Sequence, residues 1–159
     1  MQTDPEAALI AIDESVVLTR AGASEVVLGF VLAMRSKLRV LAGDREGAIA
    51  DLQEAIATAR DKTDLIILVT ALGRGAELLA RLGSAEPAAV LAGFVSGPMS
   101  SLDSMPREER LDREQALDSA RQALGHDGFD RALQRGRGMA LEAVTAYAVA
   151  ELDRLAFGD

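Results

Sequence analysis

GDREGAIADLQEAIATAR, residues 43–60, reads as a turn followed by a helix. Gly43 can end the preceding helix in the left-handed region, and Asp44 can cap the next one by accepting from its free N–H groups. Glu46 places a negative charge in the first turn, at the positive end of the helix dipole. Ala48, Ile49, Leu52, Ala55, Ile56 and Ala59 then recur at spacings of three and four, the period of a helix with one buried face. Because the small Ala48 and Ala55 flank Leu52 on that stripe, a neighbouring helix can approach closely. The stretch is predicted to be the second helix of a helical hairpin.

Working outward, helix 1 is predicted over Asp4–Arg20, with Asp4 as cap and Pro5 at the first helical position, where its missing N–H costs nothing. Ala8, Leu9, Ile12, Val16 and Thr19 form its stripe. After a break at Ala21-Gly22-Ala23, Ser24 can cap helix 2, which carries Val27, Leu28, Val31, Leu32, Leu38 and Leu41. Helix 4 follows Asp64, with Leu65, Leu68, Leu72, Leu79 and Leu82 inward and Gly73 and Gly75 as points of close approach. Helix 5 runs from Ala85 to Val95 after the turn at Gly83-Ser84. Shifting the chain against itself by 40 residues superposes Asp4, Asp44 and Ser84, and likewise Glu6, Glu46 and Glu86. Ala8, Ala48 and Ala88 also coincide, as do Gly43 and Gly83. Caps, first-turn acids and small residues that keep one register mark stacked hairpins, none able to bury its apolar face alone.

Beyond Val95 the pattern stops. SGPMSSLDSMPR, residues 96–107, reads as a loop. Three helices follow: Pro106–Leu124, then Phe129–Arg135 after a Gly125–Gly128 turn, then Ala140–Leu155 after breaks at Gly136 and Gly138. The expected organisation is one continuous domain: repeats over 1–95, a loop over 96–106 and C-terminal capping helices over 107–159.

Composition narrows the function classes. Hydrophobic residues make up 49% of the 159, aromatics only 3%, and Trp is absent, which suits close-packed helices better than a β-sandwich. A net charge of −8 argues against nonspecific binding to nucleic acid or anionic lipid. Without cysteine there are no disulfides, thiolate zinc sites or thiol nucleophiles, and with one histidine a transition-metal site is disfavoured, although an all-carboxylate cation site stays open. The start MQTDPEAAL has neither a basic nor an apolar signal region, and no apolar run reaches the ~18 residues of a membrane span. A soluble, cytoplasmic, all-helical protein is expected.

Two resemblances sharpen the expectation. Gly43-Asp44, Ala48, Leu52 and Ala55 resemble the second helix of a tetratricopeptide repeat. That resemblance implies an all-α fold of antiparallel helical hairpins, stacked as a tetratricopeptide-like right-handed solenoid with a C-terminal helical cap. It also implies a partner groove lined by first helices, on which Lys37 and Glu77 are equivalent, candidate partner-binding positions. Residues 120–152, ARQALGHDGFDRALQRGRGMALEAVTAYAVAEL, resemble the segment closing the helical-repeat region of actinobacterial regulators. In that family a STAND-type ATPase is joined to tetratricopeptide-like repeats, often with a LuxR-type DNA-binding domain or a cyclase-like domain. The residues concerned are Ala120-Arg121, Leu124-Gly125, Phe129, Ala132, Gly136 and Glu142–Ala148, preceded by the helix start Pro106–Arg110. The chain departs from the family at Ala140, where a capping Ser is usual, and it carries no GxxxxGK[ST] loop and no helix-turn-helix after Leu152. The resemblance therefore implies the repeat region alone, a module for inducer sensing or protein–protein interaction.

No chemistry is visible elsewhere. His126 has only Asp127 beside it, which makes no general-base arrangement. Glu108, Glu109, Asp112 and Glu114 alternate with Arg107, Arg110 and Arg113, the pattern of an ion-paired, solvated helix face. Arg131, Arg135 and Arg137 make no net basic patch, because residues 106–137 hold seven basic and seven acidic side chains. Neither an enzymatic activity nor a cofactor is expected. An alternative reading is a stand-alone small-molecule-binding protein with a pocket between last repeat and cap, lined by Met99, Met105 and Phe129. Helix 1 aligns with the second helix of a hairpin, so its missing partner implies excision from a longer protein, the preferred reading, or a homodimer through the N-terminal helix edge.

Overall fold

The computed structural model of the protein describes residues 5–22, 25–97 and 106–158. All regular structure among them is helical: α1 (Pro5–Gly22), α2 (Glu25–Leu41), α3 (Arg45–Asp61), α4 (Leu65–Arg81), α5 (Ala85–Val95), α6 (Arg107–Arg137) and α7 (Leu141–Phe157). The Asp4 and Ser24 caps, with Met99 and Met105 of the expected loop, lie outside the described residues.

From α2 to α5 the helices start at residues 25, 45, 65 and 85, one every 20 residues, half the period of the sequence. Identical backbone turns set that interval. The N–H groups of Asp44, Asp64 and Ser84 donate to the carbonyls of Arg39, Ala59 and Leu79 at 2.9, 2.9 and 2.8 Å. The preceding residues, Gly43, Thr63 and Gly83, donate to Val40, Arg60 and Ala80 at 3.2, 3.1 and 3.1 Å and have φ of +85°, +55° and +81°. This pair of bonds satisfies carbonyls that the helix end would otherwise leave open, and it needs a left-handed residue, which glycine supplies without steric cost. Thr63 occupies the same position with a β-branched side chain. The next helix is then capped: Asp44 Oδ1 accepts from Gly47 N–H and Asp64 Oδ1 from Ile67 N–H, both at 2.9 Å. Ser84 has the same backbone conformation as Asp44, but its side chain makes no capping bond.

The chain forms two compact units, Met1–Arg74 with Leu152–Asp159, and Gly75–Glu151. In the first, the stripe read from residues 43–60 is buried as expected: Ala48, Leu52 and Ala55 are fully enclosed. Gly29 of α2 lies against α3 and α4, since a Cβ there would stand 3.7 Å from the Ala55 carbonyl and 3.0 Å from the Ile67 side chain. Leu65, expected inward, is about half exposed in the first turn of α4, as are Val27 and Leu41 in the first and last turns of α2.

In the second unit α5 is apolar on nearly every side, and Ala88–Gly93 and Val95 are buried. Its neighbour α6 narrows one expected break and removes another. The two expected helices are present and meet at a kink, but the break between them is the single non-helical residue Gly125 (φ +71°, ψ 168°) and not the whole Gly125–Gly128 stretch. Gly136 does not break the helix. It is buried, and a Cβ there would collide with the Val90 carbonyl oxygen of α5, as one on Gly93 would collide with that of Leu133. The glycines are where two helix backbones touch, and α6 ends at Gly138 instead.

Two stability changes follow. Thr63→Gly relieves a left-handed β-branched residue, partly offset by the freer unfolded chain, and should raise stability by up to ~1 kcal/mol, while Gly43→Ala should lower it by ~1 kcal/mol in urea titration. Gly136→Ala should cost ~1–3 kcal/mol, because backbone rather than a flexible side chain has to move.

Candidate interaction surface

Charges inside the helical stripes hold the first three helices together. Arg35 lies on the buried stripe of α2 beside Val31 and Leu32, and Asp51 on that of α3 beside Ala48 and Leu52. The Arg35 guanidinium donates through Nε and Nη2 to the two Asp51 oxygens at 2.7 and 2.6 Å, and through Nη1 to Asp13 of α1 at 3.0 Å. The hydrogen bonds that Arg35 donates to Asp51 hold the Arg35 pKa above its ordinary value, against the opposing effect of burial. Arg39 adds a second cation to Asp51 at 3.1 Å and donates to the Gly47 carbonyl at 3.2 Å. Ser36 donates to the Ala48 carbonyl at 2.7 Å. On the surface, Arg20 of α1 donates through Nη2 to both oxygens of Glu54 of α3, at 2.9 and 2.7 Å.

With Val16 and Thr19 buried, the other side of α1 is left outward. Ile10, Val17 and Leu18 are 58%, 66% and 71% exposed. With Asp13 and Glu14 they line an open groove of about 540 Å³. Their spacing of three and four puts them on one helix face. The residues 40 positions on, at the same register of α3, are Ala50, Ala57 and Thr58. The row of large apolar side chains on α1 is therefore absent from α3 and is not a property of every repeat.

The candidate partner-binding residues of the sequence fall elsewhere, each in its own unit. Lys37 is half-buried on α2. Glu77 is 2% exposed and accepts from Arg113 Nε at 2.8 Å, so it does not face an open groove. Its partner corrects a further expectation. Arg113 is not part of a solvated face but shares the buried stripe of α6 with Ala116 and Ala120, while Asp112 beside it pairs with Arg81 at 3.0 Å. His126 is 83% exposed by its side chain and stands 3.4 Å from Asp130. Phe129 is buried beneath Arg121, whose guanidinium carbon lies 4.6 Å from the ring centre. Tyr147 is covered in the same way by Arg135 at 5.1 Å. Among the described residues, no three His, Asp or Glu side chains are grouped to hold a metal ion, and no helix is long and apolar enough to cross a membrane.

Hairpins in a fixed register, locked by buried ion pairs and with one apolar face outward, define a helical-repeat protein of the tetratricopeptide-like class. The model of the family described as anaphase-promoting complex subunit 5 matches residues 2–40 and, overlapping them, 31–81. Together these segments run over residues 2–81, half of the 159-residue chain, and the chain belongs to this family of tetratricopeptide-like helical repeats. No curated protein and no solved structure matches it.

Asp51→Ala would leave Arg35 and Arg39 buried or half-buried without their shared carboxylate, and urea unfolding should show a loss of ~3–5 kcal/mol. The paired change Arg35→Met with Asp51→Leu should recover most of it.

Proposed function

We propose that the chain is a non-catalytic protein-interaction module that engages its partner through the outer face of α1. The observation that carries this reading is the row Ile10, Val17 and Leu18, three large apolar side chains more than half exposed on one helix face. Apolar surface of this kind, rimmed by polar groups, marks interaction sites. The non-catalytic part is supported by the use of the buried charges: Arg35, Asp51, Glu77 and Arg113 are engaged with one another in structural pairs. The family name, which describes a subunit of a complex, agrees with a role in assembly.

The finer reading is a repeat module of a bacterial transcriptional regulator of the STAND-ATPase and LuxR kind. Its support is the resemblance of residues 120–152, following repeats and loop in the order those regulators have. A coding sequence that carries a GxxxxGK[ST] loop ahead of this segment would bear that out, and one without it would remove the regulator reading. Inducer sensing is the second reading. It is favoured by a cleft of about 280 Å³ in the second unit, lined by Glu86, Leu124, Gly128, Arg131, Ala132 and Arg135.

The interaction reading is tested with a photo-crosslinking benzophenone amino acid at position 18, and at position 57 of α3 as control, in the cells that produce the protein. A protein adduct is expected at 18 and not at 57, and Ile10→Asp should abolish it while changing folding stability by less than ~0.5 kcal/mol. Equal crosslinking at both positions would contradict the assignment of the surface.

A further inference from the structure

We propose that the helix received by the outer face of α1 carries an arginine in its last turn, and that this arginine pairs with Glu14. The inference rests on the reading of α1 as an interaction surface and names the chemistry of its partner. It comes from the repeat itself. A shift of 40 residues carries Glu14 onto Glu54, Ile10 onto Ala50 and Leu18 onto Thr58. On α3 that register is occupied: Glu54 takes both contacts of Arg20, a residue in the last turn of the helix one repeat earlier. On α1 the same acid is present and exposed, and among the described residues the structure gives it no ion pair. Asp13, the other carboxylate of the groove, is engaged by Arg35 at 3.0 Å, so Glu14 is the acid left to meet an incoming cation.

Charge also discriminates between occupants. The apolar row runs from Ile10 to Leu18 and is centred on Glu14. A second copy docked antiparallel across a two-fold axis would match Ile10 with Leu18, but would bring Glu14 against its own symmetry mate while the surrounding face loses water. Like charges brought together in that way oppose association, and a net charge of −8 on each copy adds long-range repulsion. A helix with an apolar stripe and an arginine satisfies both parts of the surface. An arginine meets a carboxylate through two parallel N–H bonds, with better directionality than a lysine.

The test uses the full chain and two fluorescent 18-residue helical peptides, each with a leucine stripe, one with arginine in the last turn and the other with glutamate in its place. Anisotropy titration should show the arginine peptide binding about fivefold more tightly, with the preference reversed in Glu14→Arg and lost in Glu14→Gln. Val17→Asp should abolish binding of both peptides. Circular dichroism should show all three variants folded, since each site is exposed. Equal affinity for the two peptides, still lost in Val17→Asp, would overturn the arginine pairing and leave the interaction surface standing. Binding of neither peptide would overturn both readings. Self-association through α1 that excludes the arginine peptide, seen by light scattering and relieved by Val17→Asp, would make a second copy the occupant and overturn the proposal.

Discussion

A left-handed residue every 20 positions governs the repeat architecture. The turns at Gly43, Thr63 and Gly83 close the same two backbone bonds, and each delivers the next residue as a helix cap. The two helices that lie between successive turns, α3 and α4, are both 17 residues long. Equal helices in fixed phase bring one register of each helix to its neighbours again and again. A single stripe of small and large apolar residues, such as Ala48, Leu52 and Ala55, then suffices to bury it.

Within that frame, specificity comes from charges set into apolar stripes. A buried ion pair adds little net stability over an apolar one, but it penalises any register in which one partner is left alone. Arg35 with Asp51, and Arg113 with Glu77, each join two helices in this way. Glycines do the same by shape: Gly93 and Gly136 admit α5 and α6 to backbone contact that a methyl group would forbid. The outer face of α1 follows the opposite rule, with bulky apolar groups where α3 has Ala50, Ala57 and Thr58.

Much of the fold was legible because its punctuation is chemical. Gly43-Asp44 and Gly83-Ser84 announce their turns, and the range Ala85–Val95 read for α5 is the range observed. The third turn was visible only as a polar cluster, since Thr63 does the work of a glycine. Gly136 misled for the reverse reason: a glycine that ends a helix and one that admits a neighbouring backbone look alike in sequence. The buried charges were missed although a signal existed. Arg113 recurs with Ala116 and Ala120 at spacings of three and four, and Asp51 sits between Ala48 and Leu52. A charge on the apolar stripe, rather than on the polar face, marks a residue with a partner on another helix. Lys37 and Glu77 are equivalent in the repeat, but which face is open depends on what the neighbouring helices cover, as on α1, and a linear pattern does not carry that.

The most direct test of the open α1 face is solvent paramagnetic relaxation of methyl-labelled protein at low concentration, with Ile49 and Leu52 as internal references. The methyl signals of Ile10, Val17 and Leu18 should broaden strongly with a soluble paramagnetic agent while those of Ile49 and Leu52 stay sharp. Protection of all five would show that the face is already covered in the isolated chain, and would contradict its role as a free interaction surface.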